Sequence, residues 1–559
     1  MMQTGNGGLG TTPRGPRGAR VAAALALVGL ALTGAHALIA REAPAPGELT
    51  GTVRTAGGSP AGDVFVVARR VDKPFSVAVL TDSGGRYVVG PLDSGRYAVE
   101  VRRTGEAPLA ADTLEVGNGG RQFDVVLRAP AGGIRESASA DWLATLPDGE
   151  EKRRFVLDCT GCHQFDARIA MPDGRPRTKA GWTEAVERML RYGGATSPFP
   201  VISHERRAGP TAAWLAQHLT GASVASRNGG ANARTTATRA SVGRATITEY
   251  DIPAPKDLPH DVAVDTAGRV IVTGMLTDRM YVLDPARGEF SDVAIPVEHA
   301  NPRAVELDAD GNWWVVLGAA HKLARYAPAT GAWTTFDVGV YPHSLAVGRG
   351  GDVWFNGHFT RAPELIGKVG SGGAVATYPV PPHPALATKP GGPIPYEIRV
   401  GRDGRVWGSE LHGNRLFSFT PATGSFQVYR MPVSYSGPRR FDVDARGAVW
   451  IPAYAANALV RLDPRTARFE RFELPIRDAV PHVARVDART GVVWVGTSAA
   501  DAVLSFDPAQ RRFTTYPLPS RGALVRHLAV DTARGVVWAA YGYGASPGIP
   551  ARIARIAPR

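Results

Sequence analysis

The sequence predicts a multidomain, mainly β protein made of a small β-sandwich, an α-helical domain and a seven-bladed β-propeller. Three patterns carry this prediction. Short alternating apolar and polar runs fill residues 47–129, helical periodicity fills residues 141–220, and a repeat of about forty residues fills residues 246–559. Of the 559 residues, 44% are hydrophobic and 21% are charged, so the chain can bury several cores and is too apolar for wholesale disorder.

The N-terminus has the order of a secretory signal. Three arginines precede an apolar run from Val21 to Leu32, and Ala35-His36-Ala37 offers a cleavage site. We therefore predict a signal peptide over residues 1–37 and export to the periplasm or cell envelope. The alternative is an uncleaved N-terminal membrane anchor, because residues 21–40 carry no formal charge and approach the roughly 20 residues that span a bilayer.

The charge and cysteine content narrow the classes of partner. A net charge of +13 can indicate nucleic acid or a membrane surface, but the arginines are spread along the chain without a basic block. We therefore expect no nucleic-acid partner. The chain has only two cysteines, Cys159 and Cys162, which is too few for a disulfide framework. Any chemistry that they carry must therefore involve both of them.

Residues 47–129 are predicted to form the small antiparallel sandwich. Runs such as Val64–Ala68 are bounded by turn residues, among them Ser59-Pro60-Ala61-Gly62, Thr81-Asp82-Ser83-Gly84-Gly85 and Leu92-Asp93-Ser94-Gly95. This punctuation resembles the carboxypeptidase regulatory-like domain, a transthyretin-like sandwich. The glycines then serve turns and the tyrosines pack between sheets, so we assign no chemistry to this domain.

Residues 141–220 are predicted to be helical, and residues 221–244 to be a flexible linker without apolar periodicity. The helical part contains the motif Cys159-Thr160-Gly161-Cys162-His163. C-x-x-C-H is the signature of covalent haem c attachment, in which two thiols form thioethers and the adjacent His coordinates the iron. The segment resembles a small cytochrome c domain, which implies one covalent haem c.

Other uses of the two thiols fit the sequence less well. A bare C-x-x-C is also found as a redox dithiol or as half of a zinc site. No second pair of thiols exists, and the histidine and the export signal match the compartment in which haem c is attached.

The sixth iron ligand is predicted to be Met189. Trp182, Val186 and Met189 follow helical spacing, so one helix face presents all three. The resemblance to small cytochromes implies a distal Met in such a helix, whereas spacing alone is equally compatible with core packing. Met171 is the reserve candidate.

The last domain is built on a repeat anchored by a Gly-x-x-Trp turn. Its seven copies, 40 to 53 residues apart, place one residue each at Ile271, Trp314, Trp354, Trp407, Trp450, Trp494 and Trp538. Four strands per copy make one propeller blade. The last copy lacks its fourth strand, and residues 247–253 supply that pattern, so we expect the two ends to close the ring.

These blades resemble the streptogramin (virginiamycin B) lyase family of seven-bladed propellers. That family's repeat has Pro-His or a variant, a Gly-x-x-Trp hairpin and an Asp-Pro turn such as Asp463-Pro464. The resemblance implies the architecture and does not by itself carry the activity.

The residues that begin the innermost strands should converge on one mouth of the central channel. They are His260, Arg303, His343, Tyr396, Arg439, His482 and Arg526, and all but one are Arg or His. Such a ring predicts an anionic small-molecule ligand. The competing interpretation is that these side chains only hydrogen-bond neighbouring blades.

The second strands should bring Asn356, His358, Glu410 and His412 towards the same mouth. In the lyases, as the resemblance implies, one blade opens with Glu-Pro-His, and a second Glu completes a magnesium site. Glu410 matches the second carboxylate, and His343 matches a substrate contact. Ile394 replaces the first carboxylate and Tyr396 the acid/base His, so magnesium should bind weakly and an unaltered lyase mechanism is not expected.

Three functions therefore stay open. We favour an exported haem protein whose propeller binds a ligand or substrate while the haem domain passes electrons, with the redox partner unassigned. The alternatives are a metal-assisted carbon-oxygen lyase and a non-catalytic cell-envelope binding protein. The candidates for chemistry at the mouth are His343, Tyr396, Glu410 and His482, and those for ligand binding are His260, Arg303, Arg439, Arg526 and His412.

Overall fold

The computed structural model describes residues 47–103, 108–127, 138–197, 199–223, 241–359, 363–542 and 550–559. The predicted signal peptide and most of the predicted linker lie outside these residues. Across the described ranges, no helix combines the length and the apolar character needed to cross a membrane.

The N-terminal domain is a β-sandwich, as predicted. Its strands are β1 (Leu49–Arg54), β2 (Phe65–Arg70), β3 (Phe75–Leu80), β4 (Arg86–Val89), β5 (Gly95–Arg102), β6 (Ala110–Val116), β7 (Arg121–Gln122) and β8 (Val125–Val126). One sheet has the order β4-β1-β7, with β8 also on β1, and the other contains β3-β2-β5-β6. Val66, Tyr97 and Val99 lie in the apolar core of this domain.

The middle segment is helical. Its helices are α1 (Ser139–Leu143), α2 (Glu150–Cys159), α3 (Ala167–Ala170), α4 (Lys179–Gly193) and α5 (Ala208–His218). Side chains cap two of them: the Asp166 carboxylate accepts from the Arg168 amide, and Thr178 Oγ1 accepts from the Gly181 amide. The predicted helical character is present, and the cytochrome c assignment stays a prediction.

Seven four-stranded blades follow. After β9 (Ser241–Val242) and β10 (Ala245–Asp251), blades one to three contain β11 (Pro259–Val264), β12 (Val270–Gly274), β13 (Arg279–Asp284), β14 (Glu289–Ala294), β15 (Pro302–Leu307), β16 (Trp313–Leu317), β17 (Lys322–Ala327), β18 (Ala332–Asp337), β19 (Pro342–Val347), β20 (Val353–Gly357), β21 (Leu365–Val369) and β22 (Val375–Pro379). Blades four and five contain β23 (Pro395–Val400), β24 (Val406–Glu410), β25 (Arg415–Thr420), β26 (Ser425–Arg430), β27 (Asp442–Val443), β28 (Val449–Ala453), β29 (Ala458–Asp463) and β30 (Arg468–Glu473). The last two contain β31 (Pro481–Val486), β32 (Val493–Thr497), β33 (Ala502–Asp507), β34 (Arg512–Pro517), β35 (Val525–Asp531), β36 (Val536–Tyr541) and β37 (Arg552–Pro558).

The sheets close into a propeller. The first strands of neighbouring blades contact one another around a complete cycle, from β11 through β15, β19, β23, β27 and β31 to β35 and back to β11. The seventh blade has the order β35-β36-β37-β10, so the strand before the first blade completes the last one. Both the predicted number of blades and the predicted closure are confirmed.

The Gly-x-x-Trp repeat has a local cause. In the second blade, Gly311 has a φ of +78°, which a residue without Cβ adopts easily in the hairpin turn. The indole of Trp314 donates to the Asp308 carboxylate over 3.2 Å, and the same carboxylate accepts from the Asn312 amide over 2.9 Å. The turn therefore requires Asp, Gly and Trp at fixed spacing.

Two contacts between domains were not predicted. Strand β10 pairs antiparallel with β3, so the sandwich extends the seventh blade into one eight-stranded sheet. The strand β9, which lies in the predicted linker, pairs parallel with β34. These pairings cover edges that would otherwise be open.

The helical segment also packs directly on the propeller. Phe155, Trp182 and Leu215 share one apolar cluster with Tyr454 and Val480. Polar contacts cross the same interface, including the Ala140 amide, which donates to the Ala499 carbonyl over 2.8 Å. The helices are thus a docked part of the fold.

Candidate functional site

A cavity of about 690 Å³ lies between the helical segment and the propeller mouth. This volume falls within the roughly 300–1,000 Å³ typical of small-molecule and cofactor sites. The helical wall includes Cys159, Cys162, His163, Trp182, Val186 and Met189, and the propeller wall includes His260, Arg303, His343, Tyr396, Arg439 and Arg526. Two groups of residues that the sequence singled out separately therefore line one space.

The C-x-x-C-H loop follows directly on α2. Cys159 is the last residue of that helix, and the Thr160 hydroxyl donates back to the Val156 carbonyl over 2.8 Å. Burial raises the pKa of the Cys159 thiol to about 12, so this thiol is protonated at neutral pH. His163 Nδ1 donates to the Gln164 carbonyl over 3.1 Å, and burial lowers the pKa of the ring, which favours the neutral imidazole.

Met189 lines the cavity from α4. Trp182 and Val186, on the same helix face, are buried, as the spacing predicted. Met171, at the end of α3, packs against the apolar cluster shared with the propeller and is not part of the cavity wall. Of the two methionines considered, Met189 is the one that shares a cavity with His163.

The three arginines of the ring have different contacts. Arg526 donates to the carbonyls of Gly161 and Cys162, over 3.1 and 2.9 Å, and so joins the seventh blade to the C-x-x-C-H loop. Arg439 donates to the Tyr396 hydroxyl over 2.9 Å. Its guanidinium also lies 4.9 Å from the centre of the Tyr396 ring and 3.9 Å from that of Tyr454. These positions combine hydrogen bonding with cation–π contact.

Arg303 lies on the second blade. Its Nε donates to Asn301 Oδ1 over 3.1 Å, and its guanidinium lies 5.2 Å from the centre of the Tyr341 ring. The Tyr341 hydroxyl in turn donates to the same Asn301 oxygen over 2.6 Å.

The histidines at the mouth are buried and uncharged at neutral pH. Burial, with the nearby cationic arginines as a smaller cause, holds the pKa of His343, His358 and His482 well below the ordinary range. His343 Nδ1 donates to the Tyr396 carbonyl over 2.8 Å, and His358 Nδ1 donates to the Pro395 carbonyl over 2.7 Å. In both rings Nε2 is then the acceptor nitrogen. Neutral imidazoles can accept a proton but cannot donate one as imidazolium.

His482 and His260 differ in their contacts. His482 does not line the cavity, and its Nε2 lies 3.3 Å from the hydroxyl of Tyr396, which does. His260 does line it, and its Nδ1 lies 2.8 Å from the Asp261 carboxylate. Burial lowers the pKa of His260 to about 3 despite that carboxylate.

The remaining predicted residues do not line the cavity. Glu410 forms a bidentate ion pair with Arg415, with N···O distances of 2.6 and 2.7 Å. Asn356 Oδ1 accepts from the Ser344 amide over 2.9 Å, which is a role within the blade. His412 Nε2 lies 3.7 Å from Asp158 Oδ1, at the interface with α2.

Glu364 lies beside Ile394, the residue that stands where the sequence analysis expected a carboxylate. The amide of Ile394 donates to Glu364 Oε1 over 3.0 Å. Burial, together with the neighbouring Glu410, raises the pKa of Glu364 to about 9. Arg415 supplies the positive charge for this pair of carboxyl groups. Throughout the described part of the chain, no group of three or more His, Cys, Asp or Glu side chains is arranged to hold a metal ion.

Sequence reasoning missed a layer of buried ion pairs formed by residues that lie one to three positions after the ring residues. Arg440 pairs with Asp261 over 2.8 Å, and Arg485 pairs with Glu397 over 2.9 Å. Arg399 also pairs with Glu397, over 2.8 Å. Asp261, Glu397 and Arg440 each directly follow a ring residue, so the second position of each innermost strand was the signal available in the sequence.

Comparisons with known proteins agree with the architecture. Residues 245–546 match the model of the virginiamycin B lyase family, and residues 48–128 match that of the carboxypeptidase regulatory-like domain. No curated protein matches the chain significantly.

Solved structures that resemble the chain include a virginiamycin B lyase from Staphylococcus aureus. It has 19% sequence identity and a TM-score of 0.49, with 56% of this chain and 98% of that chain covered. A structure described as a streptogramin B lyase has 20% identity and a TM-score of 0.49, with 56% and 97% covered. The Kuenenia stuttgartiensis hydrazine synthase has 13% identity and a TM-score of 0.43, with 52% and 94% covered.

Proposed function

The chain belongs to the virginiamycin B lyase family, and we propose that this member is an exported electron-transfer protein whose propeller mouth forms one wall of a haem c pocket. One observation carries the proposal. Cys159, Cys162, His163 and Met189 line a single cavity, and that cavity extends to the ring of the propeller.

The residues present fit a haem c chemically. Two thiols at C-x-x-C spacing suit thioether attachment, and a neutral imidazole with a methionine sulfur is a ligand pair found for haem iron in cytochromes c. Trp182, Val186 and Leu215 give the cavity apolar walls, which suit the macrocycle. A haem c bound there would supply one-electron transfer.

The chain's own contacts would orient the attachment loop. Arg526 holds the carbonyls of Gly161 and Cys162, and the Gln164 carbonyl fixes the His163 ring through Nδ1. A hydrogen bond at the second nitrogen of a ligating histidine sets its tautomer and direction. Packing of the helices on the propeller holds the two walls of the cavity together.

The proposed location follows from the same chemistry. Haem c is attached in extracytoplasmic compartments, and the first 37 residues have the pattern of a secretory signal. We therefore propose the periplasm or cell envelope, with an uncleaved anchor as the alternative form of the N-terminus.

Expression of the full chain with a c-type haem maturation system tests the proposal. We expect the purified protein to carry the mass of one haem and to retain it after acid–acetone extraction. The variant Cys159→Ala/Cys162→Ala should fold and lack covalent haem. An intact mass without the haem increment in the wild-type protein would refute the proposal.

A metal-assisted lyase is the second candidate, because family membership is consistent with a lyase-type or a binding role for the propeller. Arg415 opposes it, since its guanidinium already neutralises Glu410, the carboxylate that magnesium would need. Titration calorimetry with MgCl2 on the wild-type protein and on Glu410→Gln separates the two candidates. Tight binding that is lost in the variant would favour the lyase.

A further inference from the structure

Two histidines of the third blade are oriented by the main chain of the fourth. His343 Nδ1 donates to the Tyr396 carbonyl over 2.8 Å, and His358 Nδ1 donates to the Pro395 carbonyl over 2.7 Å. The two rings stack, with centres 4.3 Å apart and planes inclined by 28°. Because the two carbonyls belong to consecutive residues, the imidazoles are held side by side in the same tautomer.

The second nitrogen of each ring is an acceptor without a donor. Both rings line the cavity and are 1% exposed, and burial holds the pKa of each well below its ordinary range, so both are neutral. Among the described residues, none donates a hydrogen bond to Nε2 of His343 or of His358. A buried acceptor that has no donor costs free energy. A molecule with hydrogen-bond donors would offset that cost.

The charge of the cavity wall limits the kind of donor. Arg303 and Arg439 line the cavity, and neither has a carboxylate partner among the described residues. Asp158 is the one carboxylate in the described wall, and Arg206 pairs with it over 2.8 Å. An ammonium group would therefore meet positive charge, and a carboxylate would bring no proton to the neutral imidazoles. A hydroxyl suits both, since it donates to an imidazole and accepts from a guanidinium.

Aromatic rings adjoin the histidine pair. The centre of the Phe359 ring lies 3.8 Å from that of His358 and 5.8 Å from that of Phe199, which lies between α4 and α5. The Tyr396 ring lies 4.5 Å from that of His343. All five rings line the cavity, and Phe and Tyr rings pack well against another aromatic ring, offset or edge-on.

We infer that this part of the mouth binds a small aromatic molecule with two adjacent hydroxyl groups, a catechol-like ligand. One hydroxyl donates to His343 Nε2 and the other to His358 Nε2, while the ligand ring lies against Phe359. The inference goes beyond the proposed function, which assigns no substrate class to the mouth. It differs from the anionic ligand that the sequence predicts, because the imidazoles carry no charge.

The ligand and the haem would use different parts of the mouth. The C-x-x-C-H loop is held by Tyr454 of the fifth blade, whose hydroxyl donates to the Thr160 carbonyl over 2.8 Å, and by Arg526 of the seventh blade. His343 and His358 belong to the third blade, which is a neighbour of neither in the ring of seven.

Titration calorimetry of the ferrous holoprotein without oxygen tests the inference, with catechol as the probe. The ferrous state prevents the haem from oxidising the probe. We expect catechol to bind, and three related compounds to bind about tenfold more weakly. These are 1,2-dimethoxybenzene, which lacks both donors, benzoate, which is an anion, and cis-cyclohexane-1,2-diol, which lacks the aromatic ring. Failure of catechol to bind, or an equal affinity for any of the three, overturns the inference.

Asparagine variants identify the two imidazoles. In His343→Asn and His358→Asn the side-chain amide can still donate to the main-chain carbonyl, but the Nε2 acceptor is lost, so the fold should be retained. Each variant should bind catechol about tenfold more weakly. His299→Asn is the matched control, because His299 is exposed, lies outside the cavity wall and has a φ of +52°, which asparagine tolerates.

Equal catechol affinities in the control and in both folded variants overturn the inference. If neither variant folds, the comparison of the four compounds on the wild-type protein decides it.

The haem and the ligand are separated by one further comparison. If the wild-type chain carries no haem, the proposed function fails, and the same titration of that protein still decides the inference. If the haem is attached and catechol binds only to Cys159→Ala/Cys162→Ala, the haem occupies the site, so the inference fails while the proposed function stands.

Discussion

The docking of α2 on the propeller depends on a buried ion pair that a single substitution can break. Lys152 Nζ lies 2.7 Å from Asp478 Oδ2, and the two side chains are 5% and 13% exposed. Lys152 Nζ also lies 3.1 Å from Oδ1 of Asp148, whose side chain is exposed. Lys152→Met keeps the apolar stem and removes the charge, so Asp478 is left buried beside α2.

The expected loss is about 3 kcal/mol, the lower end of the roughly 3–5 kcal/mol for breaking one side of a buried pair. The lower end applies because Arg477 Nε, on a half-exposed side chain, remains 3.6 Å from Asp478. Burial raises the pKa of Asp478 above its ordinary value. A group of this kind contributes most to stability at low pH and loses that contribution as the pH rises through its folded pKa. The defect of Lys152→Met should therefore be larger at pH 7 than at pH 4.

Hydrogen exchange of the α2 amides measures the effect, since the whole chain need not unfold in one step. Lys322→Met is the matched control, because it breaks a pair with Asp337 whose carboxylate side chain is 83% exposed, worth about 0–1 kcal/mol. Lys152→Met/Asp478→Asn should recover most of the loss. If Lys152→Met lowers the protection of α2 no more than Lys322→Met does, the helices are not held on the propeller as the structure describes.

Two further predictions concern the site. Met189→Ala should abolish the weak sulfur-to-iron charge-transfer band of the ferric haem protein, whereas Met171→Ala should retain it; the reverse result in absorption spectra would move the ligand to Met171. Glu364→Gln should reduce the decline in stability between the ordinary carboxyl pKa of about 4.3 and the folded value of about 9, seen as a smaller fall of the urea midpoint over that pH range than in the wild-type protein. Glu410→Gln should instead cost about 3–5 kcal/mol at pH 7, because it leaves Arg415 buried without its carboxylate. Equal midpoints for the two variants at pH 7 would contradict the assignment of charge.

The propeller was predictable because its repeat is determined by local chemistry. The Asp308, Gly311 and Trp314 positions of one hairpin lie within seven residues, and the same set recurs in blade five with the Trp450 indole donating to Asp444 over 3.0 Å. The closure of the ring was predictable because the last copy lacks a fourth strand and residues 247–253 supply that pattern before the first copy. The sandwich was likewise predictable from turn residues and alternation.

The docking of domains was not predictable in the same way. The pairing of β10 with β3 joins strands about 170 residues apart, and no local pattern specifies it. The packing of α2 on the fifth and sixth blades depends on apolar residues that equally suit a separate helical core. The sequence predicted a flexible linker before the propeller, and composition alone does not reveal that two of its residues form β9.

Within the site, the sequence predicted residue types better than their roles. The ring was identified from the start of each innermost strand, and most of its members do line the cavity. Glu410 was assigned to chemistry because of its position beyond Trp407, but Arg415, five residues later across the hairpin, takes up its carboxylate. The histidines at the mouth, such as His343, are neutral because they are buried, and the sequence does not show which side chains the fold buries.

A single cavity places a constraint on every function considered for this chain. The helical wall and the ring of the propeller enclose about 690 Å³ between them, so a haem attached at Cys159 and Cys162 and a substrate at the mouth would have to share that space. His343 and His358 line the same cavity, and burial, which holds their pKa well below the ordinary range, keeps both imidazoles neutral, so they would face any molecule bound there as hydrogen-bonding groups without charge. A lyase substrate would likewise have to reach the mouth that the helical segment covers.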